Sequence, residues 1–238
     1  MALNILAEDA TLLVVDKQAG MTVWPEGVRP GKTLADELLV AYPKLKALGE
    51  ERRYGIVHRL DKDTSGILLV SKTKKAFDFL QKQFQERNVE KKYLCLVEGE
   101  VKKEKGKIET PLGRSPNDRR KQKAYSTEER GEAGVREAVT EYRVIKRFKD
   151  YTLLEAAPRT GRKHQLRAHF ASLGHPIAGD KLYGFKNQQI PEGLQRQFLH
   201  ASFLEVPAPD GTRRGFTSEL PKDLKNILTH LESYANTN

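Results

Sequence analysis

Only one cysteine, Cys95, occurs in 238 residues. It cannot close an internal disulfide, and zinc sites built from two or more cysteines of this chain are excluded. Its setting, Tyr93-Leu94-Cys95-Leu96-Val97, reads as a buried strand in which the thiol acts as a small apolar group. No apolar run approaches the roughly 20 residues that a membrane-spanning helix needs. The opening MALNILAEDA has neither the basic stretch nor the apolar core of a secretory signal. No Gly-rich phosphate loop of either standard kind is present. An internal repeat and a Ser/Gly-rich linker are also missing. These absences lead us to expect a cytoplasmic protein with one domain over residues 1–238, long enough to bury a core without staples.

Positive charge, by contrast, is abundant. Lys and Arg number 42 and Asp and Glu 32, so the formal net charge is 42 − 32 = +10, with a pI near 9.5. Such an excess favours a polyanionic partner and by itself does not choose among RNA, DNA and an acidic membrane surface.

Apolar patterning outlines the elements. Leu12-Leu13-Val14-Val15 is a strand run broken by Asp16-Lys17-Gln18-Ala19-Gly20 as a turn. Leu34, Leu38, Leu39 and Tyr42 have helical spacing up to Pro43. A strand is expected over Gly66–Ser71, then a helix N-capped by Thr73 with Phe77, Leu80 and Phe84 on one face. Further strands are expected at Tyr93–Val97, Thr140–Ile145 and Tyr151–Ala156, with a basic loop or extended hairpin over 102–125. A helix begins near His164, Phe203–Val206 and Phe216–Ser218 form a hairpin, and a last helix carries Leu224, Ile227, Leu228 and Leu231. Many strands without regular βαβ alternation indicate an α+β fold.

Reactive side chains are densest in His58-Arg59-Leu60-Asp61-Lys62-Asp63-Thr64-Ser65-Gly66, between two apolar runs. A turn held by a sheet gives a site precision. There Asp61 could act as nucleophile or general base, with an adjacent cation keeping it ionised; equally, Asp61 and Asp63 could cap backbone amides of a surface turn. In the second cluster, Thr160–His169, a helix would turn Arg167 inward beside Leu166 and Phe170, where it needs a carboxylate. Asp61 would fit; the alternative is a basic face for phosphates. His164, His169 and His175 are spaced five and six residues apart, off any common helical face, so we expect no zinc. A magnesium site on Asp61 and Asp63 would face competition from Lys62. We expect no metal.

HRLDKDTSGILLV resembles the signature segment of the RluA-type pseudouridine synthases, which read HRLD, two variable residues, TSG and an apolar strand. LLVVDKQAG at 12–20 resembles the family's opening strand and turn, and Lys92-Tyr93 its strand after the helix. TGRKHQLRAHFASLGHPIAGDKLYG resembles its long third motif, and LHASFLEVPAP its late strand. The likeness runs from about residue 5 to 225. The resemblance implies a bent, mixed but mostly antiparallel sheet with a central cleft, flanked by helices and loops.

Carried over residue by residue, it implies that Asp61 is the essential aspartate and that Arg167 pairs with it. Tyr93 would pack on the uracil ring, and Arg59 would fill the stack after the target base leaves. The implied activity is isomerisation of chosen uridines in structured rRNA or tRNA by a monomer that needs no cofactor. Gln18 departs from the family's usual proline, in a turn remote from Asp61 in sequence. The N-terminal RNA-binding domain of many relatives is expected to be absent, so the catalytic domain must select its RNA itself. Arg119, Arg120, Lys121 and Lys123 are the expected RNA-binding surface. A catalytically silent RNA-binding factor and a metal-dependent nuclease are the rival classes.

Overall fold

In the structure, a computed structural model, strand β1 (Ile5–Glu8) turns through Asp9 into β2 (Leu12–Lys17). Residues 3–25, 32–50, 52–126, 128–129 and 133–235 are described. The turn forms because Asp9 Oδ1 accepts the backbone N–H groups of Thr11 (2.6 Å) and Leu12 (2.8 Å), an Asp-turn that needs no glycine. Thr33 then caps α1 (Leu34–Ala41) in a reciprocal capping box with Asp36. Pro43 ends that helix, and a 3-10 turn over Pro43–Ala47 follows. Next comes β3 (Ser65–Ser71), antiparallel to β2 with Val14 opposite Leu69. Thr73 caps α2 (Lys74–Gln85), its Oγ1 accepting the Ala76 N–H.

The runs 12–15 of β2 and 67–70 of β3 are apolar throughout because both their faces are buried. Leu13, Val15, Leu68 and Val70 belong to a cluster that includes α1 residues Leu34 and Leu38. Leu12, Val14, Ile67 and Leu69, pointing the other way, join Ala76 and Leu80 of α2.

The chain continues into β4 (Glu90–Glu98), β5 (Lys105–Ile108), β6 (Leu112–Arg114) and β7 (Gln122–Ala124). Then come β8 (Thr140–Arg147), β9 (Tyr151–Pro158) and α3 (Gln165–Ser172). β4, β9, β8 and β5 pair in that order, all antiparallel, while β6 and β7 form a separate two-stranded hairpin. The basic segment expected as a loop or hairpin therefore holds three strands. Strand β10 (Leu199–Pro207) and its antiparallel partner β11 (Arg213–Thr217) follow, and α4 (Lys222–Ala235) ends the described chain.

The α+β class thus stands, with a largely antiparallel sheet and, among the described residues, four α-helices. The turn expected from Asp16 starts later, since Asp16 and Lys17 extend β2. Two compact units divide the chain: residues 1–91 with 201–219, and residues 92–200 with 220–238. Each has its own apolar clusters, and no helix among the described residues is long and apolar enough to cross a membrane.

Candidate active site

The His58–Gly66 segment lies in the first unit, between an isolated bridge of Ile56 to Val70 and strand β3. Its conformation is set by the sheet on one side and by the opening turn on the other. Lys17, the last residue of β2, is 1% exposed. Its ammonium donates to the backbone carbonyls of Gln18 (2.8 Å), Met21 (2.9 Å) and Lys62 (3.0 Å). Three donors meet three acceptors, so the buried charge is satisfied by carbonyl dipoles. The Gly20 N–H donates to the same Lys62 carbonyl at 3.0 Å. The Gln18 turn, remote from Asp61 in sequence, is therefore bonded to the residue directly after it.

His58 fixes the other end. Its Nε2 accepts the Leu69 N–H at 2.9 Å, and its ring stacks on Phe84, centroids 4.8 Å apart. Burial, helped by the nearby Lys91 ammonium, lowers its pKa to about 3, so the imidazole stays neutral and accepting. Burial likewise brings Lys91 down to about 8. Further along, the Thr64 N–H closes a tight turn onto the Asp61 carbonyl at 3.1 Å. At Gly66, φ is +113°, and an added Cβ would lie 2.2 Å from the Ala201 carbonyl oxygen, so only glycine fits. Between these anchors Asp61 and Asp63 are half-buried and Arg59 is exposed. The Arg59 guanidinium carbon lies 4.8 Å from the Trp24 ring centroid.

The other expected residues belong to the second unit. Tyr93 in β4 pairs with Ala156 and packs, half-buried, on the cluster containing Cys95, Leu166 and Phe170. The thiol of Cys95 is fully buried, and burial pushes its pKa well up, which leaves it inert. Arg167 is inward, as its helical position predicts, with 7% exposed. One carboxylate that meets it is Asp180, which the sequence reading did not single out. Nε reaches Asp180 Oδ2 at 2.6 Å and Nη2 reaches Oδ1 at 2.9 Å. Oδ1 also accepts the N–H groups of Leu182 (2.9 Å) and Tyr183 (3.0 Å). Burial opposes ionisation of Asp180, yet Arg167 and those two amides hold its pKa below the usual carboxylate value.

Gln165 and His169 of this motif bond to neighbouring elements. Residues Gln165 to Phe170 are all buried, while Lys163 just before them is exposed. Gln165 Oε1 accepts from Thr160 Oγ1 (2.7 Å) and the Arg162 N–H (3.0 Å), while Nε2 donates to the Val139 carbonyl (2.9 Å). His169 Nε2 donates to the Thr110 carbonyl at 2.9 Å, so Nδ1 accepts the Thr140 hydroxyl, also at 2.9 Å. His164 occupies the left-handed cap position (φ 53°) with Nδ1 3.1 Å from Tyr183 Oη, and His175 Nδ1 is 2.8 Å from the Glu98 carbonyl. The three histidines therefore face different partners: Tyr183 for His164, Thr110 and Thr140 for His169, and Glu98 for His175. Among the described residues no group of three or more His, Cys, Asp or Glu could hold a metal ion.

The four basic residues of the β6–β7 hairpin are not equivalent. Arg120 makes a two-pronged pair with Asp118, whose pKa it lowers to about 2. The Lys123 ammonium lies 3.5 Å from Glu129 and 4.4 Å from the Tyr125 ring centroid. Lys121 is only half-exposed, 5.8 Å from the Tyr183 ring centroid. Among the described residues Arg119 is exposed and makes no ion pair or ring contact, so only this one matches the expected freely solvated cation.

Lys17, Trp24, Asp180 and Tyr183 are what the sequence reading missed. A lysine closing an apolar strand run was the available signal for the first. The others lie within quoted or neighbouring segments but gain meaning only from their partners.

Residues 11–172 match the profile of the RNA pseudouridylate synthase family. An RNA pseudouridine synthase of Aquifex aeolicus, described as uncharacterized, is 41% identical over 98% of this chain and 74% of its own length. A ribosomal large subunit pseudouridine synthase D of Xanthomonas campestris is 39% identical over 96% of this chain and 69% of its own. Among solved structures, human RNA pseudouridylate synthase domain containing 1 superimposes with a TM-score of 0.75 at 26% identity, covering 100% of this chain and 96% of that one. The chain belongs to the RNA pseudouridine synthase family of isomerases, as a member of RluA type.

Proposed function

We propose that the chain isomerises selected uridines of folded RNA, with large-subunit ribosomal RNA the first candidate and tRNA the second, and that Asp61 is the reacting carboxylate. The observation that carries this reading is the double grip of Lys17 and Gly20 on the Lys62 carbonyl, which fixes the backbone beside Asp61. The relative named for the ribosomal large subunit supports the choice of RNA, and the net charge of +10 supports a phosphate-rich partner.

Pseudouridine formation breaks the N-glycosidic bond, turns the uracil and rejoins it to the sugar through carbon 5. Nothing is oxidised and no water is consumed, so the reaction balances without a cofactor. A stacked uridine must first leave the helix, at a cost of a few kcal/mol. Arg59 offsets part of that loss by occupying the gap, and Tyr93 stacks on the extruded ring. Asp61 attacks the sugar or removes a sugar proton to give a glycal. Arg167, preset by Asp180, orients the reacting carboxylate. We take residues 1–238 to act as one catalytic domain. We place the protein in the cytoplasm as a monomer, where its RNA is made and folded.

Mapping pseudouridines in ribosomal and transfer RNA tests the proposal, using cells that lack the protein and cells complemented with wild type or Asp61→Asn. Wild type should restore one or a few sites and Asp61→Asn none, though its RNA affinity should stay within a few-fold. A fully active Asp61→Asn removes Asp61 from the chemistry.

A further inference from the structure

Trp24 is the only tryptophan of the chain. Its ring packs on the apolar cluster of β2, β3 and α1, so the indole is anchored. Two guanidinium carbons lie near its centroid, that of Arg59 at 4.8 Å and that of Arg53 at 5.0 Å. Arg53 is also bonded to Glu50 at 3.1 Å. The turn that presents Arg53 is strained: Arg52 and Tyr54 have φ of 65° and 46°, and Gly55 has φ of 80°, where an added Cβ would lie 2.3 Å from the Ser71 carbonyl oxygen. Non-glycine residues adopt such angles only where the surroundings impose them, and these positions concentrate at functional sites.

Two like charges thus converge on one indole, one of them faced by Glu50. The arrangement solves a problem for the reaction. Arg59 is a long exposed side chain, and ordering it at the moment of RNA binding costs rotamer entropy. A planar guanidinium has two faces, and one is enough for the indole. We propose that Trp24 is a positioning residue for Arg59: the ring holds the guanidinium extended beside the catalytic loop, in one stack with the RNA base that it meets, while Arg53 supplies charge for the neighbouring phosphate. This rests on the role given to Arg59 above and adds to it a subsite for the nucleotide flanking the target uridine.

A double-mutant cycle tests it. In the Asp61→Asn background, where chemistry is stopped, affinity for a large-subunit ribosomal RNA transcript is measured for Trp24→Leu, Arg59→Ala and the pair. Trp24→Leu should weaken binding about two- to five-fold, the range of one exposed cation–π contact. Trp24→Tyr should recover most of that, since it keeps an aromatic face. Once Arg59 is alanine, Trp24→Leu should add less than about 1.5-fold, because the two act as a unit. A merely structural Trp24 predicts the same loss with or without Arg59, and that result overturns the proposal. Tryptophan emission of the free protein gives an independent arm: Arg59→Ala should shift it, and an unchanged spectrum also overturns the proposal. Failure of wild type to form pseudouridine in that transcript bears on the choice of RNA, and the emission arm decides the Trp24 contact regardless.

Discussion

The ammonium of Lys17 donates to the backbone carbonyl of Lys62, 3.0 Å away across 45 residues of sequence. Two lysines thus meet without repulsion, because one offers its charge and the other only its peptide oxygen. Lys62 itself points outward and is exposed. The bond ties the end of β2 to the residue after Asp61.

Replacing Lys17 with methionine keeps the length and removes the donors. Three carbonyls then lose a charged partner, which should cost about 2–4 kcal/mol and lower Tm by roughly 5–15 °C for a chain of this size. Pseudouridine formation should fall at least about ten-fold at saturating RNA, assayed well below the new Tm, because the reacting carboxylate loses its fixed backbone. Turnover equal to wild type at that temperature would show that the loop holds itself.

Arg167 and Asp180 offer a test in which stability and chemistry separate. Arg167→Ala leaves the Asp180 carboxylate buried without its guanidinium, a loss of roughly 3–5 kcal/mol by the usual cost of breaking a buried pair. Thermal unfolding should show it, and activity should also collapse if Arg167 orients Asp61. Asp180→Asn keeps the side-chain size and one accepting oxygen, while its NH2 cannot accept from Arg167; the guanidinium is still present, so this variant should retain more activity than Arg167→Ala.

The same pair sets an acid limit. Asp180 has its pKa depressed in the folded state, so its contribution is fully present above the unfolded value near 3.8 and is lost as pH falls through the folded value. Wild type should therefore lose more stability than Asp180→Asn between about pH 4 and the point of acid unfolding. Parallel pH profiles for the two proteins would remove Asp180 from the acid response.

Tyr93 and Cys95 share one face of β4, and they should behave differently. Tyr93→Ala removes a stacking platform worth about 1–3 kcal/mol per base, which should appear as lower turnover. Cys95→Ser introduces a hydroxyl into a dry cluster and should lower stability while leaving chemistry intact at saturating RNA. Loss of chemistry in Cys95→Ser alone would mean that the strand has been misassigned.

Changing Arg119, Arg120, Lys121 and Lys123 to alanine should weaken RNA binding and flatten its salt dependence, with little effect on turnover of bound RNA. The Asp118 and Glu129 carboxylates already neutralise part of this charge. Arg119→Ala alone should therefore change the slope more than Arg120→Ala alone. Binding titrations at several salt concentrations decide it, and identical slopes for wild type and the quadruple variant end the proposal.

Local rules decided most of the elements from the sequence alone. The apolar runs of β2 and β3, the Thr73 cap and the spacing of Phe77 and Leu80 depend on neighbours a few residues away, so they could be read directly. The HRLD segment and Arg167 were legible too, the first as a polar turn leading into a strand, although the apolar run before it forms only the Ile56 bridge, and the second as an inward cation needing a carboxylate. That Asp180 meets Arg167 was decided by tertiary structure: Asp180 lies in the loop beyond α3, and its two amide bonds depend on the turn at 180–183 closing. Lys17 shows the limit most plainly, since its donors are satisfied by backbone carbonyls that every residue possesses, and sequence carries no mark of which three will converge. The cations of the basic hairpin likewise look equal in composition and became unequal only when Asp118, Glu129 and Tyr183 were folded against them. Propensity and periodicity are properties of the local chain, whereas the environment of a charge depends on everything packed around it.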